Sequence, residues 1–265
     1  MYFINLLFIL LSLNVSAQAL SVARYCAMGN TGIALQGLES LSANAAGLAA
    51  LDQSAVALYY QGHYVANTRT QGLLMAIPTH IGTFGVYLNQ YGISGVYVER
   101  TVGATYAISF GQRLYTALTL NYHQLRITNY DSKQTYSVDV GLQYRIQDNW
   151  WVGAKLANPG YAAYDDALYA VIPVQLSFGT SYRVHQGLLL TGDMERLLYR
   201  KKTDVRTGLE YQLASWIYFR GGLGFDEFSQ FCGLGLRHRK MTFDLATIIH
   251  PQLGFAPQLF LAYAF

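Results

Sequence analysis

The sequence predicts an all-β transmembrane protein, an antiparallel β-barrel of about fourteen strands with an N-terminal plug segment. Three observations predict it. The 265 residues are 52% hydrophobic and 14% aromatic but only 12% charged, about half the charge of an ordinary soluble domain. From about residue 55 onward, apolar and polar residues alternate with the period of a strand. The chain then ends on Leu259, Leu261, Tyr263 and Phe265, an alternating strand closed by an aromatic. Mean hydropathy is +0.18, between the values of helical membrane proteins and soluble enzymes. The 18 Lys and Arg against 15 Asp and Glu form no basic block, which argues against a nucleic-acid partner.

The first element, residues 1–19, reads as a cleaved signal peptide. An apolar run of about ten residues at 3–13 has the length of a secretory core and is too short to span a bilayer, which takes about 20 residues. The small residues Val15, Ser16, Ala17 and Ala19 follow it. With a barrel behind it, this places the protein in the outer membrane of a Gram-negative bacterium. Residues 20–54 are rich in Gly, Ala and Ser and do not alternate. They are expected to fold into the lumen as a plug, with a short helix over 40–51, because small residues allow close packing on other backbone.

Residues 55–265 form the expected barrel. Strands are predicted at 55–66, 69–78, 80–90, 97–110, 113–127, 133–146, 149–157, 171–184, 187–197, 203–213, 216–225, 230–238, 240–249 and 257–265. In 136–146, Tyr136, Val138, Val140, Leu142, Tyr144 and Ile146 share one face; Ser137, Asp139, Gly141, Gln143 and Arg145 share the other. A soluble sandwich would have strands of about 5–6 residues and a wet face rich in Lys and Glu. Here the strands are roughly twice that length, and the polar face is mostly Gly, Ser, Thr, Gln and Tyr. Lipid outside and a polar lumen inside account for both. The aromatics Tyr59, Tyr60, Tyr64, Tyr91, Tyr122, Trp150, Trp151, Tyr218, Tyr263 and Phe265 are expected at the membrane interfaces. Residues 219–224 (FRGGLG) are a place where the wall could kink.

The inward parity assigns Asp139, Arg145, Lys155, Arg183, Asp193, Glu195, Arg206, Glu210, Arg220, Asp226, Arg237 and Asp244 to the lumen. Unpaired charges there would cost several kcal/mol each, so ladders of opposite charge are expected. Arg206 with Glu210 or Glu195, and Arg220 with Asp244, are candidate pairs. A salt-bridged, packed interior is favoured over a selective pore. The six histidines have no metal-ligand spacing, and no catalytic motif, cofactor motif or metal site is predicted. A phospholipase-like His/Ser pair is disfavoured, since His123 faces the lumen and no Ser matches it. Cys26 and Cys232 could pair if they approach within about 7 Å; two unpaired thiols are favoured.

The stretch Ala27-Met28-Gly29-Asn30-Thr31-Gly32-Ile33-Ala34, followed by Ser42-Ala43-Asn44-Ala45-Ala46-Gly47-Leu48, resembles the N-terminal signature of the FadL-like barrels. Later stretches are similar to the PorV/PorQ branch associated with type IX secretion: Val152-Gly153-Ala154-Lys155-Leu156-Ala157-Asn158, then 173–182 (PVQLSFGTSY), and Arg206-Thr207-Gly208-Leu209-Glu210-Tyr211. The first resemblance implies passage of a small hydrophobic molecule, with Asn44, Ala45, Ala46, Gly47 and Leu48 as the moving part of the gate. The second implies a non-transporting accessory that partners secretion-system proteins. Outer-membrane lipid and the barrel-assembly machinery are the other partners implied, with Tyr263 and Phe265 as the assembly signal.

Overall fold

The computed structural model describes residues 21–65, 67–165, 170–198, 202–226 and 228–265; the expected signal peptide lies outside them. Among the described residues, fourteen strands are hydrogen-bonded into a closed antiparallel barrel. They are β1 (Ala55–Gly62), β2 (Arg69–Thr79), β3 (Gly82–Ile93), β4 (Tyr97–Phe110), β5 (Leu114–Ile127), β6 (Lys133–Gln147) and β7 (Trp150–Ala157), then β10 (Gln175–His185), β11 (Leu188–Leu197), β12 (Lys202–Ala214), β13 (Ile217–Gly224), β14 (Ser229–His238), β15 (Met241–His250) and β16 (Gly254–Ala264). A two-stranded hairpin, β8 (Ala163–Asp165) with β9 (Ala170–Val171), sits in the connection between β7 and β10. The last strand closes on the first, from Ala55 opposite Ala264 to Gln61 opposite Gln258. Closure leaves no edge of unpaired backbone groups, which a bilayer cannot solvate.

The face assignment follows the alternation. Tyr136, Val138, Val140, Leu142, Tyr144 and Ile146 of β6 are all exposed, while Ser137, Gly141 and Gln143 between them are buried. On β12, Val205, Leu209, Tyr211 and Leu213 point out, and Gly208 and Glu210 point in. An outer surface of Leu, Val, Phe and Tyr would aggregate in water. In acyl chains it is the stable arrangement, so the barrel is transmembrane.

Several strand limits differ from expectation for local reasons. The strand expected over 171–184 begins at Gln175, because Pro173 has no N–H to donate to a ladder. β16 starts three residues early, after the left-handed turn at Gly254 (φ 90°). β1 ends at Gly62 rather than 66. The helix expected over 40–51 is instead two 3-10 turns, Leu38–Ser42 and Ala45–Ala50, interrupted where Asn44 takes extended backbone. Strand β13 does not break at 219–224, since every residue from Ile217 to Gly224 has a partner on β14. The aromatics divide by parity. Tyr60, Trp150, Tyr263 and Phe265 are exposed. Tyr59 is buried and donates to the Leu88 carbonyl and Asn89, and Trp151 packs on inward Tyr115.

Outward Leu120 near the middle of β5 tests the orientation. Leu120→Arg is expected to lower folding stability in lipid vesicles by ~2–4 kcal/mol, read by denaturant titration. Thr119→Ser on the inward face is expected to change it little.

Candidate functional site

Residues 21–54 occupy the lumen and are buried over most of their length. The short helix α1 (Ala23–Ala27) is followed by a reversal in which the Asn30 amide donates to the Tyr25 carbonyl at 2.8 Å. Gly29 (φ 75°) and Asn30 (φ 60°) make that reversal by adopting left-handed backbone, which Gly and Asn tolerate best. The wall is hollowed to receive it. A Cβ on Gly222 would stand 2.2 Å from the Gly29 amide nitrogen, and one on Gly208 the same distance from the Met28 carbonyl oxygen.

Backbone groups of the segment are satisfied by inward side chains of the barrel, as burial demands. Asp193 accepts from the amides of Gly32 (2.7 Å) and Ile33 (3.0 Å). Gln143 donates to the carbonyls of Ile33 (3.0 Å) and Leu35 (2.9 Å), and Ser181 to that of Ala34 (2.9 Å). Asn44 works in the opposite sense. Its amide nitrogen donates to the Leu142 carbonyl (2.9 Å) on the wall and to Ile33 (2.9 Å) within the segment, while its oxygen caps the following turn at the Ala46 amide. Ala46, Gly47 and Leu48 are buried behind it, and Ala45 is half-buried.

One ion-pair network ties the segment to the barrel. Arg24 grips Glu210 through two hydrogen bonds of 2.9 and 3.0 Å and lies 4.0 Å from Glu39. Arg220 donates to the same Glu210 and to Asp244, each at 2.7 Å. The Arg220 and Asp244 side chains have no exposed surface. Burial opposes the charge on Arg24, and the Glu210 and Glu39 carboxylates more than offset it, so its guanidinium stays protonated.

Beyond the segment, toward the end opposite the C-terminus, lies a cavity of about 810 Å³. Its floor includes Tyr25, Ile33, Ser42 and Ala43; its mouth includes Val65, Ile172 and Leu253. A hydrogen-bonded layer lines one wall: Tyr87 to Asn121 (2.8 Å), Thr105 to Thr119 (2.7 Å), and His123 Nε2 to Ser137 Oγ (2.8 Å). The His123–Ser137 contact was not anticipated from the sequence, since register alone brings the two strands' residues together. The other ring nitrogen of His123 faces the Thr101 hydroxyl at 3.2 Å rather than a carboxylate. The arrangement therefore satisfies buried polar groups without the orienting acid of a nucleophilic triad.

The charged residues expected in the lumen separate into groups. Glu210, Arg220 and Asp244 join in the network above, with Arg24 and Glu39 added from the N-terminal segment. Asp139 and Lys155 pair at 3.6 Å. Arg206 reaches Glu195 at 3.6 Å and Asp204 at 2.6 Å, but not Glu210, which both arginines of the central network already hold. Asp193 holds backbone amides. Two residues depart from the expectation of a common network. Arg145 pairs at 3.6 Å with Asp148 in the adjacent turn, and Arg183 is exposed. Both continue the inward parity but emerge at the C-terminal end of the barrel, where bulk water replaces the lumen. Arg24, Glu39 and Gln143 were missed as site residues. The first two lie outside the alternating region, where no parity rule assigns a direction. Cys26 and Cys232 are unpaired; Cys26 is buried in the segment and Cys232 is exposed on the wall. Among the described residues, no group of His, Cys, Asp or Glu forms a metal site. Tyr263 and Phe265 stack with ring centroids 6.3 Å apart, and the Phe265 amide donates to the Ser54 carbonyl across the seam.

No protein-family model matches the sequence, and no curated protein matches it. Solved structures share its fold. The toluene transporter TbuX of Ralstonia pickettii superposes with a TM-score of 0.67 at 14% identity, over 93% of this chain and 98% of that one. The toluene transporter TodX of Pseudomonas putida gives 0.71 at 11% identity, over 94% and 99%. A FadL homologue of Pseudomonas aeruginosa gives 0.66 at 10%, over 92% and 98%. The fold class is therefore the barrel these transporters adopt.

Two measurements probe the site. Glu210→Gln removes one charge from a buried cluster and is expected to lower unfolding free energy by ~3–5 kcal/mol, measured in guanidinium. Burial pushes the Cys26 thiol up to about 12, so at pH 8 almost no thiolate is present. In a Cys232→Ser background, Cys26 is expected to resist maleimide in the intact protein and to be labelled once Gly222→Val prevents the segment from seating.

Proposed function

We propose that this protein is an outer-membrane channel of a Gram-negative bacterium, admitting a small hydrophobic molecule past a plug that gates it. The observation that carries the reading is the cavity opening away from the C-terminus and ending on the N-terminal segment. A molecule entering from outside would sit against Tyr87, Tyr91 and the half-apolar mouth, in a space of the size that holds a small ligand. Passage requires the floor to move. Residues Asn44, Ala45, Ala46, Gly47 and Leu48 are the candidate moving part, because one side chain, Asn44, supplies most of their polar attachment to the wall. The fold shared with TbuX and TodX, both described as toluene transporters, supports the channel class. On this reading a cleaved signal peptide directs export, and Tyr263 and Phe265 present the last strand to the assembly machinery.

A second reading is a PorV/PorQ-like accessory of a secretion or surface-assembly machine. It is favoured by the unbroken ladders of β3 with both its neighbours and of β13 with β14, where an opening to lipid would serve a hydrophobic cargo. Such a barrel would co-purify with large membrane partners.

Deletion of residues 40–51 separates the two. Single-channel conductance and toluene uptake into proteoliposomes are expected to rise severalfold on the channel reading. Unchanged permeability would remove it.

A further inference from the structure

We propose that the vestibule above the plug binds a small organic cation, an ammonium group carried on an aromatic or short aliphatic body. This rests on the channel reading and narrows its cargo from hydrophobic to amphipathic and positively charged.

The first ground is charge. Among the described residues lining the cavity, the carboxylates are Glu99, Asp139, Asp193, Glu195 and Asp204, and the cations are Lys155 and Arg206. Arg206 is shared between two carboxylates, and Lys155 serves Asp139. Asp193 is met by backbone amides alone among its hydrogen-bond donors, and Glu99 by a tyrosine hydroxyl. One oxygen of Asp204 is buried without a partner. A confined space with low-dielectric walls focuses such an excess and raises the local concentration of cations.

The second ground is aromatic. Tyr91 stands opposite Glu99 in the β3–β4 register and meets Tyr97 edge-on at 6.2 Å and His63 at 5.3 Å. Tyr164 of the β8–β9 hairpin meets His123 at 6.3 Å and also lines the space. Tyrosine faces around a carboxylate are the environment that attracts an alkylammonium group, which has a diffuse charge and apolar methyls. The third ground is on the floor. Tyr25 is 1% exposed, lines the cavity, and its hydroxyl has no partner. A ligand's polar end or a carried water would supply one.

The opposite end of the lumen has the opposite character. Arg145 and Arg237 lie there over the rings of Trp151 and Tyr218, so the acidic surface belongs to the vestibule rather than to the lumen as a whole.

The test uses the full chain in detergent micelles, with equilibrium dialysis of benzyltrimethylammonium, toluene and phenylacetate at constant salt. Benzyltrimethylammonium is expected to be retained and phenylacetate excluded. Glu99→Gln and, separately, Tyr91→Leu are each expected to weaken retention by about tenfold. Equal retention of phenylacetate by the unaltered protein would overturn the proposal whatever the variants do. So would undiminished binding in both variants. Toluene passage in proteoliposomes without benzyltrimethylammonium binding would refute the cation site and leave the channel standing. Cation binding without passage of any solute would refute the channel and leave the site.

Discussion

The bidentate grip of Arg24 on Glu210 is the contact on which the interior depends. It joins the N-terminal segment to a carboxylate already held by Arg220, which in turn holds Asp244. In water such pairs contribute little. Here all four side chains are removed from solvent, and each charge is tolerable only because the others are present. The network therefore acts less as an additive stabiliser than as a condition: the segment seats with Arg24 in register, or two carboxylates and an arginine are left uncompensated inside a cylinder surrounded by lipid.

The rest of the interior meets the same constraint by other means. A wall whose outside is apolar has to place its polar residues inside, and the segment filling the lumen brings unpaired backbone groups with it. Asp193, Gln143, Ser181 and Asn44 each answer some of those groups, while glycines on the wall let the segment approach to backbone contact. The matching is specific. Gly208 and Gly222 face the turn at Met28 and Gly29, and Gln143 faces two carbonyls two residues apart. Barrel and segment are parts of one polar-satisfaction problem, and neither surface would be stable bare.

Above this packed layer the lumen is hollow, acidic and lined with tyrosine. The sequence placed mixed charges in the lumen and favoured a packed interior selective for neither sign. The structure supports the packed interior at the level of the segment and separates the signs beyond it. Carboxylates predominate among the described residues that line the cavity, and Arg145, Arg183 and Arg237 lie toward the C-terminus.

By itself the sequence determined the barrel, because a strand's side-chain period is fixed by covalent geometry and lipid on one side turns that period into visible alternation. Val138, Val140 and Leu142 could point nowhere but out once Ser137, Gly141 and Gln143 pointed in. Pairs such as Arg220 with Asp244 were legible for the same reason, since parity puts both inside and desolvation demands a partner. Tertiary structure alone decided what lies around the barrel at each level. Arg24 and Glu39 sit in a segment without periodicity, and their meeting with Glu210 depends on how that segment folds back. Ser137 reaches His123 only through the register of two strands. Arg183 obeys the inward parity yet lies in water, because height along the axis is set by closure and tilt, which no local pattern encodes.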